Sequence, residues 1–106
     1  MTDPLFSIVI PNWNGKKFLK TCLDAIAQQT YSHVEVIIVD NASEDGSQAF
    51  IKESYPDVIL VELSKNLGFT GACNAGIQIA QGEFVSLLNN DTEVHPHWVE
   101  ACISGF

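Results

Sequence analysis

Three apolar segments of this chain each end in a polar cluster whose side chains could bind a ligand. The segments are residues 8–10, 36–39 and 84–88, and they lead into the sequences PNWNG, DNAS and NNDT. In an open parallel sheet the carboxyl ends of all strands lie at one edge, so the three clusters would meet in space. The sequence therefore predicts a ligand site at that edge.

Alternating strands and helices are predicted to position these clusters. Apolar and β-branched runs predict strands over residues 5–10, 34–39, 58–63 and 84–88. Helical spacing predicts helices over residues 16–29, from residue 43 to about 55, and over 69–81. The apolar face of the first helix is predicted to hold Phe18, Leu19, Cys22, Leu23 and Ile26.

Several residues predict where the helices begin and end. Ser43 is expected to cap the second helix, with Glu44 and Asp45 in its first turn, where the helix dipole favours carboxylates. Gly82 is expected to close the third helix, and Pro96 suits the first turn of a last one.

The order of the elements predicts an α/β fold. The strands are continuously apolar, which indicates a sheet covered by helices on both faces, and right-handed crossovers make such a sheet parallel. The compatible strand order is 3-2-1-4. In that order strands 1 and 4 flank the point where the connections change face, and a crevice opens between them. Trp13 and Asp91 are expected on either side of this crevice.

Composition narrows the class of protein. Five Lys and Arg against thirteen Asp and Glu give 106 residues a net charge of -8, so we expect no nucleic-acid partner. Cys22, Cys73 and Cys102 lack the spacing of a zinc site or a disulfide framework and are predicted to be small core residues. No apolar run approaches the ~20 residues that span a bilayer, and the start, MTDP, has neither the basic region nor the long apolar region of a signal peptide. We expect one soluble, cytoplasmic domain.

The glycines give no nucleotide-binding motif by themselves. Neither G-x-G-x-x-G nor the P-loop pattern occurs in the chain. Gly68, Gly71 and Gly76 lie at the start of the third predicted helix, where they serve either the close approach of a ligand or a tight turn and helix packing. Both interpretations stay open from the residues alone.

Nearly the whole chain resembles the beginning of family 2 glycosyltransferases. The resemblance rests on SIVIPNWNG, QTY and EVIIVDNASEDGS in the first half and on NLGF, NAGI, GEF and LLNNDT in the second. It implies the Rossmann-like half of a GT-A fold, which binds a nucleotide-diphosphate sugar and a divalent metal, Mg or Mn. It further implies transfer of the sugar, with inversion, to a hydroxyl of a saccharide or lipid-linked acceptor.

The resemblance also implies roles for the residues of the first two clusters. Trp13 matches an aromatic position near the nucleotide base, although a Trp could instead fill the end of the sheet. Pro11 would offer only its carbonyl. Asp40 and Asn41 match the pair that reads base and ribose, although Asp40 could instead cap the turn into the second helix. The matching loop close to the nucleotide contains Asn66 and Gly68.

The third cluster matches the D-x-D motif with fewer charges. Asp91 keeps the carboxylate that is expected to hold the metal, whereas Asn89 and Asn90 offer neutral amides. A single carboxylate suffices if the diphosphate supplies further oxygen ligands. The alternative for Asp91 is an ordinary acidic turn after a strand. His95 and His97 are expected to be exposed residues at a helix start rather than ligands.

The resemblance places the catalytic base beyond Phe106. Residues 1–106 are therefore expected to be the N-terminal nucleotide-sugar-binding part of a truncated glycosyltransferase domain, which binds donor without transferring it. The segments NLGF and NND resemble rhamnosyltransferases and other enzymes of cell-surface polysaccharide synthesis. The inner face of the membrane is the expected place of the full-length protein, and the open edge at residues 84–88 predicts self-association or marginal stability.

Two other functions stay open from the residues. One is a non-catalytic nucleotide-binding or interaction module with the same fold. The other is a receiver-like phosphoacceptor domain, because Asp40 and Asp91 both end parallel strands. The second is disfavoured, since Asn12 and Asn14 stand where that chemistry needs an acidic pair.

Overall fold

The computed structural model describes residues 3–105 of the chain. Its elements are β1 (Phe6–Asn12), α1 (Lys16–Ala27), β2 (Val34–Asp40), α2 (Ser47–Ser54), β3 (Ile59–Glu62), α3 (Gly68–Ile79), β4 (Phe84–Leu87) and α4 (Trp98–Ser104). Met1, Thr2 and Phe106 lie outside the described residues. The first two positions of the segment MTDP, which is unlike a signal peptide, are therefore among those that the structure does not describe.

The four strands form one parallel sheet in the order β3-β2-β1-β4, which confirms the predicted topology. β1 lies between β2 and β4 and extends two residues further than predicted. In this register Asn12 lies beside Asp40, and Val9 lies beside both Ile37 and Leu87. The predicted polar clusters therefore leave the sheet at the same edge.

Helices cover both faces of the sheet, as predicted. Ile8 and Ile10 of β1 pack into a core with α1, α2 and α4, which contribute buried residues such as Leu19, Ile51 and Val99. Because successive side chains of a strand point to opposite faces, Val9 points the other way and packs with Ala72 of α3. The prediction for Phe18 was wrong, because its ring is 41% exposed beside the buried face of α1.

The three cysteines differ in how deeply they are buried. Cys22 and Cys73 are buried and Cys102 is half-buried, and all three are free thiols. Cys22 packs in the larger core beneath the sheet, and Cys102 packs against the same core. These positions agree with their prediction as small core residues.

Gly76 allows α3 to lie close to the centre of the sheet. A Cβ atom at this position would stand 2.4 Å from Cγ1 of Val9 and 3.1 Å from Cγ2 of Val39. Both valines are completely buried, and their branched side chains have little rotameric freedom to move away. Gly76 therefore serves helix packing rather than the approach of a ligand.

The edge strand β4 is less covered than the continuous apolar pattern predicts. Phe84, Val85 and Leu87 are 40 to 45% exposed. In the register with β1, Val85 and Leu87 lie on the same face of the sheet as Val9, and on that face α3 packs mainly on β1 and β2. Phe84 lies on the opposite face, beside Phe6. One flank of the sheet thus presents apolar side chains to solvent.

α2 begins later than predicted, and the prediction of Ser43 as its cap was wrong. The helix starts at Ser47, after Gly46, whose φ of 85° is a left-handed conformation that glycine adopts readily. Asp45 accepts hydrogen bonds from the backbone N–H of Ser47 at 3.0 Å and from its hydroxyl at 2.5 Å. Asp45 and Glu44 therefore lie before the helix rather than in its first turn.

Gly82 does not close α3, contrary to prediction. The helix ends at Ile79, and Ala80 is already extended. Gly82 lies against the start of β1, where its N–H donates to Oγ of Ser7 at 2.8 Å. A Cβ at Gly82 would stand 2.4 Å from that oxygen, so contact with β1 explains the glycine.

Pro96 lies before α4 rather than in its first turn, so this prediction was also wrong. α4 begins at Trp98 with His97 as its cap residue. The carbonyl of Pro96 accepts a hydrogen bond from the N–H of Thr30 at 3.0 Å. This contact ties Pro96 to the segment after α1 and keeps it outside the helix.

Replacing Gly76 by Ala should destabilise the protein because the added methyl group overlaps Val9. We expect the overpacking cost to exceed the gain in helix propensity and to lower the free energy of unfolding by about 1 to 2 kcal/mol. Urea denaturation followed by circular dichroism measures this change. Asn74→Ala on the exposed side of the same helix is the control and should be neutral or stabilising. A Gly76→Ala protein as stable as the wild type would contradict the close-packing explanation.

Candidate functional site

A cavity of about 420 Å³ opens at the carboxyl edge of the sheet, beside the ends of β1 and β4 and the start of α3. It is lined by Pro11, Asn12, Trp13, Asn41, Asn66, Gly68, Phe69, Asn89, Asn90 and Asp91. The fold thus brings together every predicted site residue except Asp40. Trp13 and Asp91 both line the cavity, as predicted for the crevice between strands 1 and 4.

Asp40 lies beneath the cavity and is completely buried. One carboxylate oxygen accepts hydrogen bonds from the amide of Asn12 at 3.0 Å and the hydroxyl of Ser43 at 2.7 Å. The other accepts from the backbone N–H of Ser43 at 2.9 Å and the amide of Gln48 at 2.6 Å. Asp40 therefore caps the turn after β2, which was the alternative role, and its contact with a base stays a prediction.

Asn41 holds the loop that leads into α3. Its side-chain oxygen accepts the N–H of Leu67 at 2.9 Å, and its amide nitrogen donates to the carbonyl of Gly68 at 3.0 Å. Within the loop, the side chain of Asn66 accepts the N–H of Gly68 at 2.7 Å. Gly68 has a φ of 76°, a conformation that favours glycine. The backbone around Gly68 is thereby fixed at the cavity wall.

Two aromatic rings line the cavity with large exposed faces. Trp13 is 58% exposed and Phe69 is 59% exposed. The exposure of Trp13 contradicts its alternative role as a filler of the sheet end. Phe69 was missed as a site residue, although its place in NLGF at the start of a helix was a usable signal. Exposed rings of this kind offer flat surfaces for stacking.

Asp91 supplies the only carboxylate among the lining residues. Next to it, Asn90 donates its side-chain amide to the side-chain oxygen of Asn12 at 2.8 Å. Within residues 3–105 no group of three or more His, Cys, Asp or Glu side chains could hold a metal alone. The carboxylate of Asp91 and the amide oxygens of Asn89 and Asn90 do fit Mg²⁺ or Mn²⁺ that shares its coordination with ligand phosphates.

α1 supports the Asn89–Asp91 loop from below. The thiol of Cys22 points to the carbonyl oxygen of Asn89, with 3.9 Å between sulfur and oxygen. Burial raises the pKa of Cys22 to about 11, and the negative charge of Asp91 adds to the rise. The thiol is therefore protonated at neutral pH and acts as a weak donor beneath the loop.

The two histidines near the chain end lie outside the cavity lining. His95 and His97 are exposed, as predicted, and Nδ1 of His97 lies 3.2 Å from a carboxylate oxygen of Glu100. Hydrogen bonds from Thr30 and then from His97 lower the pKa of Glu100. Among residues 3–105 there is no helix with the length and apolar character needed to cross a membrane.

The family model for glycosyl transferase family 2 matches residues 7–106. The chain belongs to this family. An uncharacterized glycosyltransferase of Rickettsia typhi is 36% identical over 98 residues, covering 92% of this chain and 30% of the relative. The glycosyltransferase AglE of Haloferax volcanii is 32% identical over 108 residues, covering 97% and 36%. The chain thus spans about a third of the length of these family 2 relatives.

Solved structures of glycosyltransferases share this fold. Residues 1–349 of S. aureus TarS in complex with UDP superpose with a TM-score of 0.87 over 94% of this chain and 31% of that TarS chain, at 23% identity. The mannosyltransferase PcManGT of Pyrobaculum calidifontis, in complex with GDP-Man and Mn²⁺, superposes with a TM-score of 0.77 at 31% identity, covering 85% of this chain and 28% of PcManGT. Both the predicted family 2 membership and the Rossmann-like GT-A fold are confirmed.

Replacing Asn41 by Ala should make the loop at Leu67 and Gly68, which forms one wall of the cavity, more mobile. The change removes two side-chain hydrogen bonds, one to the N–H of Leu67 and one to the carbonyl of Gly68, at an expected cost of about 1 to 3 kcal/mol in unfolding free energy if each contributes about 0.5 to 1.5 kcal/mol. Hydrogen exchange should speed up most at Leu67, whose N–H loses its acceptor. The exposed Asn66→Ala is the matched control and should cost less than about 1 kcal/mol. An unchanged exchange rate at Leu67 would show that the Asn41 side chain does not hold this loop in place.

Proposed function

We propose that this chain binds the nucleotide-diphosphate sugar donor of a metal-dependent, inverting glycosyltransferase. The observation that carries the proposal is the meeting of two exposed aromatic rings and a single carboxylate in one cavity at the switch point of the sheet. A nucleotide-diphosphate sugar has the matching parts, namely a flat base, a sugar and an anionic diphosphate.

The base of the ligand would lie beside the rings of Trp13 and Phe69, next to the loop that leads into α3. Trp13 and Phe69 offer ring faces on which any base can stack. Pro11 offers only a carbonyl acceptor, and Asn66 and the clamped backbone of Gly68 add polar groups nearby. Because the side chain of Asn41 already holds Leu67 and Gly68, its part in base reading would be mainly to place these backbone groups.

The diphosphate end would lie at Asn89, Asn90 and Asp91. A chain with a net charge of -8 repels an anionic ligand, so a cation is needed to offset the charge. Asp91 would hold Mg²⁺ or Mn²⁺, with Asn89 as a neutral oxygen ligand. When bound, the metal would neutralise the diphosphate and stabilise it as a leaving group.

The relatives support a nucleotide-sugar donor and a hexosyl group. PcManGT, at 31% identity, is in complex with GDP-Man and Mn²⁺. TarS, whose likeness concerns the fold, is in complex with UDP or with UDP-GlcNAc. We therefore choose UDP and GDP as the first ligands to test.

The remaining parts of the proposal concern the larger protein. Residues 1–106 would be its N-terminal nucleotide-sugar-binding part, since the chain spans about a third of its relatives. The catalytic base and most of the site for a saccharide or lipid-linked acceptor would come from other segments, so these residues alone would bind donor without transferring sugar. We propose action in the cytoplasm, at the inner face of the membrane, in rhamnosyltransferase-like synthesis of cell-surface polysaccharide.

Replacing Asp91 by Ala tests the metal-dependent binding. Calorimetry on the wild type should show weak Mn²⁺ binding without nucleotide, because one carboxylate is too few, and tighter UDP or GDP binding when Mn²⁺ is present. In Asp91→Ala this enhancement should disappear, while the folding stability changes by less than about 0.5 kcal/mol at this exposed position.

The matched control for the metal test is Asp57→Ala, which removes the same charge from an exposed position outside the cavity lining. It should keep the Mn²⁺ enhancement in full. Tight Mn²⁺ binding to the nucleotide-free protein, or unchanged enhancement in Asp91→Ala, would refute the proposed site. Binding without sugar transfer by the full-length gene product would indicate the non-catalytic module instead.

We also propose that the open flank at β4 drives self-association. β4 is an edge strand with exposed apolar side chains, and such edges pair with other chains unless a charge blocks them. Light scattering over a concentration series should show oligomers for the wild type and fewer for Val85→Lys. Ser54→Lys on α2 adds the same charge elsewhere and should associate like the wild type. A monomeric wild type at all concentrations would exclude this proposal.

A further inference from the structure

We propose that Asn12 is a positioning residue that orients the side-chain amide of Asn90, so that Asn90 presents its carbonyl oxygen to the cavity beside Asp91. The inference rests on the proposed function for the identity of the ligand. The orientation itself follows from a chain of hydrogen bonds that joins the ends of β2, β1 and the loop after β4.

The chain of hydrogen bonds starts at Asp40. A carboxylate only accepts hydrogen bonds, so every group that faces it must be a donor. Asn12 is 1% exposed and lies beside Asp40 in the register of β1 and β2. Its amide nitrogen must therefore point to Asp40, at 3.0 Å, and it also lies 3.4 Å from Oγ of Ser43. The buried charge thereby fixes which way the Asn12 amide points.

The orientation of Asn12 then fixes Asn90. With its nitrogen turned to Asp40, Asn12 directs its side-chain oxygen to Asn90, which must donate in return, at 2.8 Å. The side-chain oxygen of Asn90 receives no hydrogen bond from the residues that the structure describes, and the residue lines the cavity. Asn90 thus offers an acceptor oxygen to a ligand, next to the carboxylate of Asp91.

Gly15 makes room for the contact between Asn12 and Asn90. A Cβ at Gly15 would stand 2.0 Å from the amide nitrogen of Asn90 and 2.5 Å from the side-chain oxygen of Asn12. The backbone of Gly15, with φ of -106° and ψ of 21°, is open to other residues. Gly15→Ala would therefore act as a steric wedge in this one hydrogen bond and would remove no polar group.

The first test reads the amide of Asn90 in the ligand-free protein. Its side-chain NH₂ resonances in ¹⁵N-correlated NMR spectra should shift in Asn12→Leu and in Gly15→Ala. They should also shift in Asp40→Asn, although Asp40 and Asn90 share no hydrogen bond. In the Asn12→Leu background, adding Asp40→Asn should have no further effect on Asn90. Should Asp40→Asn fail to fold, the wedge variant Gly15→Ala still decides the outcome.

A matched control lies at the opposite end of β1. Ser7 is also completely buried, donates to Glu35 at 2.5 Å and accepts from the N–H of Gly82, so it bridges two segments as Asn12 does. Ser7→Ala should leave the Asn90 resonances unchanged. Asn90 resonances that stay at the wild-type position in Asn12→Leu and Gly15→Ala would overturn the proposal.

The second test measures ligand binding by calorimetry with UDP and GDP in the presence of Mn²⁺. Mutating a residue that orients the groups of a metal site typically lowers metal affinity or activity by about 10- to 100-fold. We expect the affinity for UDP or GDP in the presence of Mn²⁺ to fall by this factor in Asn12→Leu and Gly15→Ala. Ser7→Ala should bind like the wild type. Wild-type affinity in both site variants would overturn the role of Asn12, whereas a wild type that binds neither nucleotide would refute the proposed function and leave the NMR test valid.

Discussion

The buried carboxylate of Asp40 is the interaction on which the rest of the site depends. Burying a charge is costly unless hydrogen bonds compensate for the lost water, and Asp40 has four such bonds. The donors come from β1, from the turn after β2 and from α2, so one charge fixes three parts of the chain. Removing any donor would leave part of that charge unsatisfied, which explains why the polar cluster beneath the cavity is completely paired.

Close packing of α3 provides the second constraint. Because Gly76 lets the helix approach Val9 and Val39, the start of the helix reaches the carboxyl edge of the sheet. The amide of Asn41 then fixes the incoming loop at both Leu67 and Gly68. Core packing at one end of α3 and hydrogen bonding at the other thus place the ring of Phe69 at the cavity.

Electrostatics explain why the cavity lining carries so little negative charge. The chain is strongly acidic, yet only one carboxylate lines this surface, and its neighbours Asn89 and Asn90 are amides. Amides offer oxygen ligands without adding to the repulsion of an anionic diphosphate. Asp40, whose charge lies beneath the surface, is compensated by its own hydrogen bonds. This distribution fits the proposed nucleotide-sugar ligand, with a single carboxylate left to attract a cation.

The sequence by itself determined the strands, their order, the family and the edge at which the site lies, because apolar runs and crossover rules are local or topological properties. It also named eight residues of the cavity lining. Only the tertiary structure decided that Asp40 lies beneath the cavity and that Asn12 and Phe69 belong to it. The roles predicted for Gly82 and Pro96 were wrong because hydrogen bonds to distant segments outweigh local capping preferences. The role predicted for Ser43 was wrong for a local reason, since Asp45 and the left-handed Gly46 make α2 begin at Ser47. Asn12 bonds with partners 28 and 78 residues away, and no local pattern encodes such contacts.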